Sequence, residues 1–565
     1  MSLFGSSRLA NNALRATQVG LQVVGQNIAN ANTPGYIREE VNFAAAPTQR
    51  VGNLLLGLGV QVNGVVQKID NFLEGRLRGA ISDTASAEAQ EQTFEQLEGL
   101  VAELGDTDLS TSLNNFFSSI SEVLNQPESV SVRNLAVLKG RTLAGDINRL
   151  ANRIDDIRSD VNERVTNIAD DMNRLIEEVR RLNIRIAQTE GGDLFGSDAV
   201  GLRDQRHVAL AELSKLIDVR VEEQPSGTVN VFAGGDYLVF EGESRHVEVG
   251  LTSDRGLAVA SLRLVETKSK IEPRAGELAG VLASRDQVLG GFLDKLDNFA
   301  QTLAFEFNKV YSAGQGLNGF STLTSEFGTS DANAALDAAG LPFTPVNGSF
   351  DVQVYNKGTG LTQTTHVEVD LNGLDQDTTL ANLAARLDGV SGISATINTS
   401  GQLVLKSDSS DQVFAFASDT SGVLASLGMN TFFSGTGARN LGVAKSVADD
   451  PGKFAASRGG IGADTAGAVE LAAFLDRPLE NQGGDSLSTF YDRVTSQLTQ
   501  DATIAKSVAE GFRVFEDGLR GQSLAISGVS LDEEAVRMIG YQRAFQASAR
   551  YIATLSELME VLVNL

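Results

Sequence analysis

Two heptad patterns of apolar residues, one near each end of this 565-residue chain, constrain its fold more than any other feature. Near the carboxyl end apolar residues recur every seven positions with others interleaved, and near the amino end the gaps alternate between four and three. Such spacing predicts one narrow apolar stripe on each of two helices. The carboxyl-terminal seam consists of Leu531, Met538, Phe545, Ile552, Leu555, Met559 and Leu562, and the amino-terminal seam consists of Ala10, Leu14, Thr17, Leu21, Val24 and Ile28.

An apolar seam on a terminal helix must pair with its counterpart, with other subunits or with a membrane, because an unpaired terminal helix frays. Residues 1–34 hold two arginines and no acid, whereas residues 531–565 hold five acids and three arginines, so net +2 meets net −2. Membrane-surface helices usually carry lysine and arginine on the polar face, which argues against a membrane partner. We therefore predict that the two ends pair as a coiled coil that serves assembly.

Helix-end signals bracket both seams. Ser530 followed by Glu533 is a capping-box pattern at the start of the last helix, where Glu534 also complements the helix dipole. The sequence Thr33-Pro34-Gly35 (33–35) predicts the end of the first helix, because proline disfavours helical geometry in the residue before it.

Composition excludes several classes of function. A net charge of −26 without basic clusters argues against nucleic-acid binding. No run of 18 apolar residues predicts a membrane span, and the amino end lacks the pattern of a cleaved signal peptide. The chain has no cysteine, and its three histidines, His207, His246 and His366, lie far apart. We therefore expect no disulfide, no metal site, no cofactor and no catalytic residue.

One long helix dominates the first third of the chain. Between residues 143 and 186 apolar residues step by fours and threes, which predicts a rod of about 65 Å at 1.5 Å per residue. Further helices are predicted at 88–104, 109–124, 276–311 and 487–519.

Valine-rich alternation predicts two groups of strands, at 218–265 and 350–416. Segment 320–440 carries twelve acids against four basic residues, and glycine- and serine-rich stretches flank it, as in an inserted outer domain. We predict a multidomain α+β fold of nested parts. The parts are an assembly domain of 1–70 with 527–565, a helical stem domain of 71–319 with 441–526 that contains the small strand region 218–265, and a strand-rich domain of 320–440.

Several sequence patterns resemble cofactor-binding or metal-binding motifs but lack the structural context or the spacing that those motifs require. Residues 314–319 match the dinucleotide-binding pattern GxGxxG but follow a predicted helix, whereas the motif must follow a strand. The acids Asp370, Asp375 and Asp377 miss the calcium-loop spacing. These patterns predict loops and solvated charge.

Two motifs identify a family. Residues 27–36 (NIANANTPGY) and 527–535 (SGVSLDEEA) resemble the terminal signatures of bacterial flagellar rod, hook and hook-associated proteins. Internal segments 203–206 (RDQR) and 427–433 (LGMNTFF) favour the hook-associated members that form a junction. The motif residues that carry the resemblance at the amino end are Asn27, Asn30, Asn32, Thr33, Pro34, Gly35 and Tyr36.

The resemblance implies a structural axial component of the flagellum that joins the hook to the filament and catalyses no reaction. It implies self-association in a ring, contacts with the hook protein and with the second hook-associated junction protein, and no membrane insertion. It also implies an extracellular location reached through the flagellar type III apparatus without a cleaved signal peptide. An export chaperone would cover the carboxyl-terminal helix at Leu555, Met559 and Leu562.

Other functions remain open at this point. The chain could be another axial flagellar protein, such as the hook protein or the second junction protein, since these share the terminal motifs. The absence of a signal peptide also fits a cytoplasmic coiled-coil scaffold. An enzyme within the 320–440 insertion is a third alternative, although that segment holds the single histidine His366.

Overall fold

The computed structural model describes residues 3–51, 54–102, 109–191, 197–374, 376–462 and 464–564. The chain divides into two compact units. Unit 1 consists of Met1–Thr93, Ser159–Gln287 and Thr503–Leu565, and unit 2 consists of Phe94–Arg158 and Val288–Ala502. The predicted multidomain α+β class is confirmed. The predicted three-part division into nested domains stays a prediction.

Unit 1 contains both terminal helices. Helix α1 (Leu3–Asn30) packs against helix α13 (Leu531–Val563) and along two strands that follow it. Strands β1 (Glu39–Ala45) and β4 (Val60–Gln67) pair antiparallel, with a register shift after Asn42. Strands β2 (Thr48–Val51) and β3 (Leu54–Gly57) form the hairpin between them. The sequence prediction does not include these strands, although β1 and β4 have seven and eight residues and pack on α1.

The predicted long helices are present, with different bounds. They are α2 (Asn71–Ala102), α3 (Leu109–Asn125), α4 (Val130–Glu190) and α12 (Leu487–Ser527), and the structure adds α5 (Val200–Leu216). Helix α4 has 61 residues and thus extends beyond the predicted 143–186 at both ends. Helix α2 begins at Asn71 rather than at residue 88, because small residues such as Ala80 and Ala85 supply its buried face. Leu104, the predicted end of that helix, lies outside the described residues.

Small antiparallel sheets complete the core of unit 1, as predicted for 218–265. The strands are β5 (Arg220–Glu223), β6 (Val229–Ala233), β7 (Asp236–Phe240) and β8 (Glu243–Ser244) in one sheet, and β9 (Val247–Asp254) with β10 (Leu257–Leu264) in another. Their inward side chains pack with α4 and α5 in one apolar core that includes Val165, Leu213, Val231 and Leu262.

The predicted helix at 276–311 is interrupted. Helix α6 (Glu277–Ala283) is followed by a π-helical turn (Ser284–Leu289) and then by α7 (Gly290–Ser312). Such π-helical turns insert a residue into a helix and redirect its side chains. Here the turn contains the buried Arg285, whose Nη1 donates to the carbonyl oxygen of Ala260 at 2.6 Å.

Unit 2 carries the second strand region. Its elements are β11 (Thr322–Thr324), β12 (Gly348–Asn356), β13 (Leu361–Val369), α8 (Leu380–Asp388), β14 (Ile393–Ile397), β15 (Leu403–Ser407), β16 (Gln412–Ala417), α9 (Val423–Leu427), β17 (Phe433–Ser434), β18 (Gly442–Val443), α10 (Lys445–Asp449) and α11 (Ala466–Ala472). Two three-stranded sheets, ordered β11-β15-β14 and β13-β12-β16, share one apolar core with α8. The predicted inserted domain at 320–440 stays a prediction.

Aromatic side chains pack the rest of unit 2. Phe307 of α7 lies among Phe116 of α3, Phe432 and Phe433, with ring centroids 5.3–5.6 Å apart. Asn308 holds the segment through its Oδ1, which accepts from the backbone N–H groups of Phe432 and Phe433 at 3.0 Å. The segment LGMNTFF is therefore a buried structural element.

Candidate functional site: the paired termini

Helix α1 packs through small residues rather than through its leucines. Of the predicted amino-terminal seam, Ala10 and Val24 are buried, whereas Leu14, Thr17, Leu21 and Ile28 are half-buried. The buried stripe of the helix consists of Ser6, Ala10, Ala16, Gly20, Val23, Val24 and Asn27. The leucines therefore flank the contact instead of filling it.

Helix α13 packs against α1, and most of its predicted seam residues are at least half-buried. Leu555 is buried, Met538, Phe545, Ile552 and Met559 are half-buried, and Leu531 is exposed. Helix α13 contains Leu562, but the side chain of this residue lies outside the described ones.

Helices α1 and α13 are in close contact at Gly20. The ring of Tyr541 covers Gly20, so that a Cβ atom placed on Gly20 would lie 2.8 Å from ring carbons. The absence of a side chain at this position therefore permits the contact between α1 and α13.

A second set of apolar side chains on α13 remains uncovered after this pairing. Val536 is 71% exposed, and Leu531, Ile539, Leu558 and Val561 are also exposed. The neighbouring helix α12 exposes Val508, Phe515 and Leu524. Apolar surface of this extent on paired helices is typical of a protein–protein contact.

The turn after α1 is organised around the buried side chain of Asn27. Its Nδ2 donates to the carbonyl oxygen of Glu39 at 3.0 Å and to Glu534 Oε2 at 3.1 Å. Its Oδ1 accepts from Tyr36 Oη at 2.8 Å and from the backbone N–H of Glu39 at 3.0 Å. The Asn27 amide therefore both donates and accepts hydrogen bonds within the turn, and its bond to Glu534 links the turn to α13.

A buried ion pair joins the two terminal motifs. Arg38 donates from Nε and Nη2 to Glu534 Oε1 at 2.9 and 2.7 Å, and the Glu534 side chain is fully buried. The backbone N–H of Arg38 donates to the carbonyl oxygen of Ser527 at 2.9 Å. A buried guanidinium–carboxylate pair with such geometry satisfies both charges, and removal of either partner would leave the other unpaired.

Of the two hydrogen bonds in the predicted capping box, the one accepted by the Ser530 side chain is present. Ser530 is the N-cap of α13, and its side chain accepts from the backbone N–H of Glu533 at 3.5 Å. The Glu533 carboxylate, however, pairs with Arg38 Nη2 at 2.9 Å. The acids at the start of α13 therefore bind the turn after α1, in addition to complementing the helix dipole.

The remaining motif residues lie at the surface of the turn. Asn30 is half-buried, and Asn32, Thr33, Pro34 and Gly35 are exposed. Gly35 has a φ of 77°, and a side chain there would collide with Cγ2 of Val208. Glycine is therefore required at this position by conformation and by space.

Burial raises the pKa values of two titratable side chains near the turn. Burial and the nearby carboxylate of Glu39 raise the pKa of Tyr36, so this phenol stays neutral and can donate to Asn27. Burial also raises the pKa of Asp204 to about 7, with Glu39 adding to the shift. Asp204 Oδ1 accepts from the backbone N–H of Ile37 at 3.3 Å and from Gln67 Nε2 at 2.5 Å.

The arrangement suits binding between protein segments. Within the described ranges, no group of three or more histidine, cysteine, aspartate or glutamate side chains could hold a metal ion, and Asp375 lies outside them. The same ranges contain no helix with the length and hydropathy needed to cross a membrane. Sequence reasoning missed the roles of Arg38 and Glu534, although both belong to or adjoin the two motifs.

Comparison with known proteins matches the same segments. A family model described as "Flagella basal body rod protein" matches residues 8–36, and one described as "Flagellar basal body rod FlgEFG protein C-terminal" matches residues 520–565. These matches contain Asn27 and Glu534 respectively. A third model, "Flagellar hook-associated protein FlgK helical domain", matches residues 94–327.

Relatives over the whole length settle the family. Flagellar hook-associated protein 1 of Escherichia coli K12 is 25% identical over 582 residues, which cover 99% of this chain and 100% of the relative. The protein of the same name from Bacillus subtilis 168 is 24% identical, over 100% of this chain and 98% of the relative. The chain belongs to the flagellar hook-associated protein 1 family. The resemblance inferred from the two motifs is confirmed.

A solved structure shares the fold of this family member. The flagellar hook junction protein FlgK from Burkholderia pseudomallei covers 80% of this chain and 100% of its own, with a TM-score of 0.50 and 14% identity. This likeness concerns the fold alone. As a flagellar hook-associated protein, the chain is part of a family of axial structural proteins.

Proposed function

We propose that this chain is a structural axial component that forms the junction between the hook and the filament, with its paired terminal helices as the polymerising surface. Relatives that span the whole chain carry the name flagellar hook-associated protein 1, and the solved structure with the same fold is named a hook junction protein. The uncovered apolar stripe on α13 carries the proposal for the mechanism.

The energetics favour contact between copies. The stripe comprises Leu531, Val536, Ile539, Leu558 and Val561, all exposed after α1 and α13 have paired. Burial of one such side chain contributes about 1.5–3 kcal/mol. With a net charge of −26, copies repel one another in solution, so only close apolar contact in an ordered array offsets the repulsion.

The partners follow from this surface. Copies of the chain would associate in a ring through the stripe, with the hook protein on one side and the second hook-associated junction protein on the other. The predicted terminal seams would gain further burial there, because Leu14, Leu21 and Phe545 are half-buried in a single copy.

Export of this protein would need the same surface to be masked. We place the chaperone on the last turns of α13, where Leu558 and Val561 are exposed next to the predicted Leu555 and Met559. The chain would leave the cell through the type III apparatus, and the lack of cysteine leaves no disulfide to hinder threading.

A double substitution tests the polymerising surface. Val536→Asp with Ile539→Asp adds two charges to the stripe and leaves the contact with α1 intact, whereas aspartate at Phe545 would also disturb that contact. In cells that lack the wild-type protein, we expect the variant to be exported into the medium while the filaments fail to attach. The control is Leu361→Asp, an exposed apolar site on β13 of unit 2.

Two outcomes would contradict the proposal. Normal filament attachment by the double variant would remove the stripe from the junction. Retention of the wild-type protein inside the cell, with no copy recovered from the medium or from flagella, would favour an internal scaffold.

A further inference from the structure

A cavity in unit 1, next to the turn that follows α1, is lined by several basic side chains. It lies between α2, α5 and the strands β5 and β6, and has a volume of about 120 Å³. Its wall includes Arg78, Arg203, Arg206, His207, Glu223 and Val229. Three of these residues belong to the RDQR segment and the position after it, which the assembly mechanism does not use.

Arg206 is the deepest cation of the cavity. It is 5% exposed, and its Nη1 donates to Asn183 Oδ1 at 3.0 Å and to the carbonyl oxygen of Gly227 at 2.6 Å. Its Nε and Nη2 groups have no partner within the described part of the chain. Glu223 and Glu190 attract Arg206 electrostatically, but neither accepts a hydrogen bond from it within the described residues. Buried donors without an acceptor are costly, so these N–H groups favour a negatively charged ligand.

Arg78, on α2, also lines the cavity. Among the residues that the structure describes, it forms no hydrogen bond and no ion pair, although Glu74 attracts it electrostatically. Burial lowers the pKa of Arg78 and lowers the pKa of Arg206 to about 10, so both remain charged at neutral pH. Two positive charges therefore face one small cavity.

The acids near the cavity already have partners. Glu223 Oε1 accepts from Arg203 Nη1 at 2.6 Å, and Arg203 is also bound to Glu190. Glu74 accepts from Ser523 Oγ at 2.5 Å and lies 3.3 Å from Nε2 of His207. These pairs leave the charges of Arg78 and Arg206 without an ion-pair partner among the described residues.

We propose that this cavity binds one small divalent oxyanion, of the size of inorganic phosphate, between Arg78 and Arg206. The charge of −2 matches the two guanidinium groups, and each group can donate paired N–H bonds to tetrahedral oxygens. The cavity has room for an ion of this size. A bound ion would link α2 to α5 and stabilise unit 1 by mass action.

Titration of the full-length chain with inorganic phosphate tests this site. Calorimetry and thermal unfolding would be measured at pH 8, where inorganic phosphate is mainly divalent, with sodium chloride holding the ionic strength constant. We expect one phosphate per chain and a rise in Tm beyond that caused by chloride. Arg78→Gln should weaken phosphate binding about tenfold or more, the loss expected for charged hydrogen bonds.

Arg76→Gln is the matched control, because Arg76 is exposed on the same helix and carries the same charge. Its phosphate affinity should equal that of the wild type. A Tm rise no larger than that with chloride, or equal affinities for Arg78→Gln and Arg76→Gln, would overturn the proposal. Acetate binding as tight as phosphate binding would also refute it, since a monovalent anion cannot neutralise both arginines.

Discussion

The ring of Tyr541 lies directly against Gly20, at a distance that leaves no room for a side chain on the glycine. Helices α1 and α13 are therefore in close contact at this point. Apolar side chains elsewhere on α13, such as Val536, remain exposed.

A side chain at Gly20 should separate the helices. Gly20→Leu would drive a side chain into Tyr541, and overpacking of this kind costs about 1–3 kcal/mol. We expect faster hydrogen exchange in peptides from α1 and α13. The control is Gly25→Leu on the same helix, where a Cβ meets no atom within 4 Å. If both variants exchange like the wild type, the close approach at Gly20 is not needed for pairing.

Loss of Arg38 should uncouple the two terminal motifs. Arg38→Met leaves the carboxylate of Glu534 buried without its partner, and a broken buried pair costs about 3–5 kcal/mol. Hydrogen exchange in the first turns of α13 would measure the loss. The other carboxylate bound to Arg38 is that of Glu533, whose side chain is 62% exposed. Glu533→Gln should therefore cost at most about 1 kcal/mol of stability.

A double variant measures the interaction between Arg38 and Glu534. Arg38→Met with Glu534→Leu removes both charges, so its helix α13 should be more stable than in Arg38→Met alone. If the loss of stability in the double variant equals the sum of the losses in the two single variants, Arg38 and Glu534 do not stabilise one another.

Replacement by alanine should destabilise the turn after α1 at Asn27 but not at Asn32. Asn27→Ala removes the hydrogen bonds of the buried Asn27 amide with the backbone of Glu39, with the half-buried Tyr36 and with Glu534, which should cost about 2 kcal/mol or more. Asn32 is exposed, so Asn32→Ala should have little effect. Limited proteolysis within the turn at 31–37 would compare their rates. Equal rates would show that Asn27 does not organise the turn.

Asp204 should make the stability of unit 1 fall as the pH rises. Its pKa is about 7 in the folded protein against an ordinary value of 3.8, mainly because of burial. Between these values the folded state binds more protons than the unfolded chain, so the free energy of unfolding decreases from about pH 4 to pH 7. The contribution of protonated Asp204 is complete below the lower value.

Asp204→Asn should remove part of that decrease, because asparagine does not ionise. The measurement is Tm at pH 5 and pH 8, compared with wild type and with Asp198→Asn, a neighbouring acid that accepts from the backbone N–H of Gln67. A pH dependence of Tm that Asp204→Asn leaves unchanged would contradict the raised pKa.

Much of the secondary structure follows from local patterns. The apolar period of three and four residues predicts α4 and α12, and valine-rich alternation predicts the strands at 220–264, because each pattern repeats within a few residues. The hairpin strands β1–β4 escaped prediction. Their pairing depends on α1, which lies outside any short window of sequence.

The terminal motifs predicted the family, but their contacts were not visible in them. Glu534 was expected to complement the helix dipole, and its buried pair with Arg38 spans 496 residues of sequence. Hydropathy likewise gives Leu14 and Leu21 more weight than Gly20 in the amino-terminal seam. Small residues carry little hydropathy, although they decide how closely two helices approach.

The sequence by itself determined that both ends are helical, that each has an apolar stripe, and that the family is flagellar. Only the tertiary structure decided which face of α1 is buried, that Arg38 meets Glu534, and which apolar side chains stay uncovered. The physical reason is that periodicity places residues on one face of a helix, whereas burial depends on the shape and charge of what packs against it.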